Sequence, residues 1–438
     1  MKKISILVIL LFINFFSAVA QLTTTGNFTA QQLASYLAGP NITVYNATIT
    51  GSPISYGRFQ TGTNPTNLGI SKGIVLTTGS RNNIIGPNNV GDRSNQNNSP
   101  GDAMLNTISG AQTRDACVLQ FQFDVQSESV EFNYVFGSEE YPEYVNAGFN
   151  DVFAFYISGP GITGWQNIAL VPNTTTPVTI DNINGNSYWQ YYVNNDNGTT
   201  VQYDGFTKVL TAKKTGLIPC QTYTLRLAIA DAGDNAIDSG VMLEAGSLKQ
   251  GTISAITQTA NADTVALEGC TKAKFVFSLD SAQSTNTIVD FEIAGSAING
   301  VDYQFVDTLF ILPAGQTSAT ITIDALSDGI TEGLESIFLI YTPYPCAPKD
   351  TVKLYINDYQ TLQYENALTN VSCFNANNGI INFTTNGGSP PYTYFLKDSI
   401  TGIVTTYTSN PVTGLSPGTY FVNVEDGYGC PTEAIIAG

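Results

Sequence analysis

"VLQFQFDV" at 118–125 puts Leu119, Phe121, Phe123 and Val125 on one side of an extended chain, with Gln120, Gln122 and Asp124 on the other. A period of two is the signature of a half-buried strand. The same alternation runs through "TYTLRLAIA" (222–230), where Tyr223, Leu225, Leu227 and Ile229 share a face, and through "ATITI" (319–323), "VKLYI" (352–356) and "TYFVNVED" (419–426). Clusters of Gly, Pro, Asn and Asp separate these runs, which predicts antiparallel sheets stacked into sandwiches. "DVFAFYI" (151–157) is apolar on both faces and reads as a central strand. Helix signals are few. "TAQQLASYLAG" (29–39) offers Thr29 as N-cap, Gln32 to complete a capping box, a stripe of Leu33, Tyr36 and Leu37, and Gly39 as a stop. "PGDAMLNTI" (100–108) predicts a second short helix. The expected fold class is all-β: three tandem β-sandwich domains, immunoglobulin-like or jelly-roll-like, with one or two short helices in the first.

The opening "MKKISILVILLFINFFSAVAQ" has two lysines, a short apolar run and the small-x-small site Ala18-Val19-Ala20, the pattern of a cleaved secretory signal peptide over 1–20. No later stretch reaches the roughly 18 apolar residues of a membrane helix. A secreted or outer-surface protein is expected, with no integral membrane segment after cleavage. The formal charge of −18 makes nucleic acid a poor partner. The chain has no histidine, which excludes a Ser-His-Asp triad and imidazole–zinc sites but leaves oxygen-ligand metals open.

Carboxylates gather where the predicted strands end. "GSEEYPEYVNAGFNDVFAF" (137–155) supplies Glu139, Glu140, Glu143, Asn150 and Asp151; "YDGFT" (203–207) adds Asp204; "IADAGDNAIDSG" (229–240) brings Asp231, Asp234 and Asp238. Calcium takes six to eight oxygens from carboxylates, amide side chains and turn carbonyls. The metal ligands expected in this block are Glu139, Glu140, Asn150, Asp151, Asp231, Asp234 and Asp238. The competing reading is that Asp and Asn merely suit solvated turns.

Polar links near 247–254 and 357–366 divide the mature chain into blocks 21–249, 250–360 and 361–438. Cys117, Cys220, Cys270, Cys346, Cys373 and Cys430 then fall two to a block. In an exported chain this predicts Cys117–Cys220, Cys270–Cys346 and Cys373–Cys430.

The first block resembles the choice-of-anchor L domain, through "LAGPNITVYNATITG", "LGISKGIVLTTG", "FNYVFGSEEYPEYV", "FNDVFAFYISGPG", "YDGFTKVLTA" and "YTLRLAIADAGDNAIDSGVMLEAGS". That resemblance implies an exported β-rich surface module without an established catalytic activity. "INGVDYQFVDTLFILPAGQTSATITIDALSDGITEGLESIFLIY" resembles the Calx-beta sandwich, in whose calcium-binding members loop acids cluster at one end. The matching positions are Glu268, Asp302, Asp328, Glu332, Glu335 and Asp358, fewer carboxylates than in the binders. "VSCFNANNGIINFTTNGGSPPYTYFLKD" with "TGLSPGTYFVNVEDGYGC" resembles the SprB repeat, which occurs in surface adhesins of the Bacteroidetes. Such proteins usually end in a sorting or attachment domain. "GCPTEAIIAG" (429–438) instead reads as a last strand, so anchoring is expected to be indirect or the chain to be part of something longer.

Four Asp-Thr/Ser-aliphatic tripeptides place Thr264, Thr308, Thr351 and Ser399 as candidate O-glycosylation positions. "SYWQYYV" (187–193) could present aromatics to a sugar, although strand aromatics usually serve the core. The functional expectation is a non-catalytic surface binding or adhesion protein, with Ca2+ in the first block and a cell-surface glycan or protein as partner. A structural envelope or extracellular-matrix component is the alternative within that class. A glycoside hydrolase, pairing Glu139 or Glu140 with Asp231, is the alternative from another.

Overall fold

The structure is a computed structural model that describes residues 22–39, 42–62, 66–260, 263–283, 285–327, 329–373, 375–432 and 435–437. The expected signal peptide and Asp328 lie outside the described residues. The chain divides into two compact units, Met1–Gly251 and Thr252–Gly438.

In the first unit the strands are, in chain order, β1 (Leu22–Thr25), β2 (Val44–Thr50), β3 (Tyr56–Thr61), β4 (Lys72–Thr77), β5 (Thr113–Asp124), β6 (Ser129–Ser138), β7 (Val152–Ser158), β8 (Gln166–Asn167), β9 (Tyr192–Asn194), β10 (Gly205–Thr207), β11 (Leu210–Thr215), β12 (Thr222–Ala232) and β13 (Ser239–Glu244). Two helices join them, α1 (Ala30–Leu37) and α2 (Ala103–Ser109). One sheet runs β1-β3-β4-β13-β6-β10-β9, with β11 also on β6; the other runs β2-β5-β12-β7-β8.

The alternation read from "VLQFQFDV" is realised. Leu119, Phe121 and Phe123 enter a core shared by both sheets, where Phe132 meets Phe155 at 5.0 Å and Tyr134 meets Phe155 at 4.8 Å between ring centres. β7 is buried on both faces: Phe153, Phe155 and Ile157 point inward, while Val152, Ala154 and Tyr156 pack beneath Leu105 of α2. Thr29 caps α1 in the expected capping box, and Leu33 and Leu37 reach the core. The larger sheet is also covered outside, where Val135, Tyr203, Phe206 and Met242 form a second apolar layer with Val75 and Ile84.

The second unit contains two smaller sandwiches. The first is built from β14 (Ile253–Gln258), β15 (Val265–Leu267), β16 (Lys272–Leu279), β17 (Thr287–Gly295), β18 (Leu309–Leu312), β19 (Ser318–Asp324), β20 (Glu335–Tyr341) and β21 (Asp350–Asn357). They form sheets β14-β16-β19 and β15-β21-β20-β17-β18. The second has β22 (Gln363–Thr369), β23 (Gly379–Asn386), β24 (Thr393–Asp398), β25 (Val404–Tyr407), β26 (Val412–Leu415), β27 (Tyr420–Glu425) and β28 (Ile435–Ala437). These form sheets β22-β23-β26 and β25-β24-β27-β28.

The expected disulfide pairing is overturned. Cys117 and Cys373 are free thiols, and Cys270 bonds Cys430 with Cα atoms 5.6 Å apart. Cys220 and Cys346 are also disulfide-bonded. Each expected partner lies at the wrong end of its sandwich. Cys117 pairs across the ladder with Ile229, whereas the Cys220 N–H donates to Val125 O, eight residues along β5 or about 26 Å away. Cys270 lies at the Asn357 end of β21, and Cys346 lies beyond its Asp350 end. Cys373 precedes the start of β23, while the segment holding Cys430 bonds Ser389 beyond its end. The observed bond therefore ties the third block to the second instead of stapling either.

Candidate metal centre

Two antiparallel strand pairs, one from each sheet of the first unit, open at the same end. In the larger sheet Ser138 of β6 pairs with Ser239 of β13, and the ladder extends one rung as the Glu139 N–H donates to Asp238 O at 3.2 Å. In the smaller sheet Ala230 of β12 pairs with Val152 of β7, and the Ala232 N–H donates to Asp151 Oδ1 at 2.9 Å. A register shift between Ile229 and Asp231 redirects Asp231 at the end of β12. Glu139, Glu140, Asp151, Asp231 and Asp238 thus come from four strand ends to one mouth. Their exposures are 1, 2, 0, 1 and 1%.

Among the described residues no ion pair neutralises these side chains: Lys213–Glu131, Arg226–Asp102, Lys272–Asp324 and Lys349–Glu292 all lie elsewhere. Both Glu139 carboxylate oxygens, Glu140 Oε2, Asp151 Oδ2, Asp231 Oδ1, Asn150 Oδ1 and Ser239 Oγ are buried without a hydrogen-bond partner. Removing a carboxylate from water without a partner costs several kcal/mol, so each carboxyl resists ionisation. Burial, reinforced by Asp204, pushes Glu139 up to about 9, although the neighbouring Gln202 side chain and then Arg93 pull the other way. Burial and the Asp151 charge push Glu140 up to about 11. Burial raises Asp151 to about 7 and Asp238 to about 6, and burial with repulsion from Asp151 holds Asp231 well above the usual range. An oxygen-rich, unpartnered, acid-lined mouth matches what a hard divalent cation requires.

Not every expected ligand joins the mouth. Asp234 is half-buried, and its Oδ1 caps the Ala236 N–H at 3.0 Å. Glu143 is exposed. Gln202, Asp204 and Ser239 are buried at the site but were not among the expected ligands. Asp204 carried a signal, because its acidic turn was already apparent; an uncharged Gln or Ser gives none.

In the second unit Asp302, Glu332 and Glu335 bring carboxylate oxygens within 4.8 Å of one another. Among the described residues no other three acidic, histidine or cysteine side chains meet that limit. No three of the first-unit acids meet it. Burial and the charges of Asp302, Glu332 and Asp358 raise Glu335 above its usual range. Asp358 itself accepts the Glu332 and Gly333 N–H groups at 3.1 and 2.9 Å and so shapes the loop. Glu268 is buried, with its N–H on Asn357 O.

Thr264, Thr308, Thr351 and Ser399 are all exposed. In "SYWQYYV", Trp189 is exposed, whereas Tyr188, Tyr191 and Tyr192 pack against the core.

Tandem two-sheet modules with acid-lined strand ends define an all-β sandwich protein. The sequence model of the Choice-of-anchor L domain matches residues 21–249, over half of the chain, and that of the SprB repeat matches 366–401. The chain belongs to the choice-of-anchor L domain family. No curated protein matches it. Among solved structures, it resembles the apo-form Calx CBD1 domain at 19% identity and TM-score 0.19, covering 24% of this chain and 98% of that one. The calcium binding domain CBD12 of CALX1.1 is 13% identical at TM-score 0.21, covering 39% and 79%. The Pseudomonas aeruginosa CupB2 chaperone is 12% identical at TM-score 0.18, covering 41% and 99%. These are weak structural likenesses, and the Calx-beta resemblance of the middle block has no stronger support. The anchor-type domain and the repeat fit a surface protein, and no helix among the described residues is long and apolar enough to cross a membrane.

Proposed function

We propose that this is an exported, non-catalytic attachment protein of the cell surface, whose first unit is held closed by calcium at its acidic mouth. One observation carries the calcium reading: carboxylate oxygens from both sheets are buried together without partners. A cation bridging Glu140, Asp151 and Asp231 would replace mutual repulsion with attraction and lock the two strand pairs together. Asp302, Glu332 and Glu335 offer a second, more exposed place for the same ion.

The burial of Glu139, Glu140 and Asp231 weighs against a glycosidase, since a saccharide cannot reach carboxyls only 1–2% exposed. A neutral saccharide fits better in a groove of about 500 Å³ on the outer side of the smaller sheet. There Trp165, 40% exposed, shares the lining with Met104, Ile108, Leu170 and Pro177 and with Gln166 and Asn167. An accessible indole in a mostly apolar groove, with Asn167 Nδ2 unpartnered beside it, can stack on a sugar and donate to one of its hydroxyls. This makes a glycan the favoured attachment partner. Thermal unfolding of the mature chain in calcium and then in chelator tests the calcium reading. A calcium-induced rise in Tm, reversed by chelator and blunted by Asp231→Asn, is expected; an unchanged melt at millimolar calcium would defeat it.

A further inference from the structure

Arg226 of β12, Tyr156 of β7 and Asn167 of β8 stand in one rank across three adjacent strands of the smaller sheet. Arg226 pairs with Tyr156, and Tyr156 pairs on its other side with Asn167. Directly opposed residues of antiparallel strands project to the same face. Here that face is the outer one, where Tyr156 packs with Leu105 of α2. All three side chains carry hydrogen-bond donors, and α2 takes up two of them. Arg226 forms a forked ion pair with Asp102, the residue that caps α2. The Tyr156 hydroxyl donates to Met104 O at 3.0 Å.

Asn167 is left with a donor unused. Its Oδ1 accepts the Phe155 and Ala169 N–H groups at 3.1 and 3.0 Å, which fixes the orientation of the amide. Nδ2 can then only donate, and it is buried without a partner. A buried donor left unpaired is costly, so an acceptor brought to it is favoured. Asn167 lines the groove between Trp165 and α2, and the residues before it, Trp165 and Gln166, are exposed.

The rest of the lining decides what carries that acceptor. Among the described residues the lining holds no charged side chain, and Arg226 is committed to Asp102. A chain of formal charge −18 also repels anionic saccharides. A neutral ligand follows. Met104, Ile108, Leu170 and Pro177 offer apolar surface, on which bare hydroxyls would lose water and gain no partner. An acetamido group suits both halves of this lining, since its carbonyl is a neutral acceptor and its methyl is apolar.

We propose that the groove selects an N-acetylated amino sugar. The acetamido carbonyl accepts from Asn167 Nδ2, the methyl rests among Met104, Ile108, Leu170 and Pro177, and the Trp165 indole stacks on the ring. The sugar reaches Nδ2 by turning the exposed Trp165 or Gln166 side chain, a change that exposed rotamers make within nanoseconds. This deepens the glycan reading of the groove and rests on it.

A glycan array carrying matched pairs tests this on the full mature chain. Oligomers of N-acetylglucosamine are set against equally linked oligomers of glucose, and N-acetylgalactosamine against galactose. Calorimetry should find the acetamido member of a pair bound at least tenfold more tightly than the hydroxyl member. That comparison uses wild type alone, so no variant has to fold. Asn167→Asp keeps the oxygen that accepts from Phe155 and Ala169 but turns the donor into an acceptor, and it should abolish the tenfold preference. Equal affinities within the pairs would overturn the acetamido inference while the glycan reading stands. A preference that survives in Asn167→Asp at unchanged Tm would likewise overturn it. If no saccharide on the array binds, both fall.

Discussion

Glu139 and Asp238 face each other across the last rung of an antiparallel ladder, joined by the Glu139 N–H donating to Asp238 O at 3.2 Å. Backbone attraction holds together two acidic side chains that repel when ionised. The sheet supplies the proximity; the proposed cation would supply the charge.

Calcium should supply it. Saturating the mature chain at a hundredfold excess over Kd should stabilise the first unit by about 2.7 kcal/mol per site. Differential scanning calorimetry before and after chelation measures this. Asp151→Asn should lower the calcium-dependent increment while stabilising the chelated protein, because it removes a buried carboxyl. A chelated variant no more stable than chelated wild type would contradict that account.

The pH dependence should invert with calcium. In the metal-free protein Asp238, Asp151 and Glu139 have folded-state values raised to about 6, 7 and 9. A raised group binds its proton more tightly when folded, so its stabilisation is complete below the ordinary value near 4 and is lost as pH rises through the folded value. Chelated protein should therefore melt progressively lower from pH 5 to pH 8. With calcium bound the same groups hold the ion ionised, and the decline should vanish or reverse. Parallel declines with and without calcium would refute this.

Thiol chemistry tests the cysteine assignment. Cys373 is exposed and should react with a thiol reagent in the native protein, whereas buried Cys117 should react only after unfolding. Reducing Cys270–Cys430, which spans 160 residues, should lower the stability of the second unit by about 3–5 kcal/mol on the chain-entropy account. Limited proteolysis with and without reductant would show it. A native thiol count other than one would overturn the assignment.

Trp165→Ala tests the groove. A glycan array that scores wild type should lose its signals at least tenfold in this variant, with Tm unchanged, since the indole is already 40% exposed. Equal array signals would remove the groove from the attachment surface.

Much of this was legible in the sequence. Period-two alternation marked β5 and β12 because one face of each meets the shared core, and the Thr29–Gln32 pair marked α1 because capping is local chemistry. Glu139, Glu140, Asp151, Asp231 and Asp238 were legible as a group because acids at strand ends stand out in an otherwise apolar pattern. Gln202 and Ser239 were hidden because neutral oxygens resemble any loop residue. The disulfides were misread for a related reason. Assigning two cysteines to a block says nothing about which end of the sandwich each occupies, and opposite ends lie beyond a disulfide's reach.

The Cys270–Cys430 crosslink has a mechanical corollary. For a protein strained by flowing liquid, tension arriving at residue 430 can pass straight to residue 270 along covalent bonds. The second unit's strands from β16 to β27 are then bypassed, and only β14, β15 and β28, which lie outside the crosslinked loop, stay in the line of the pull.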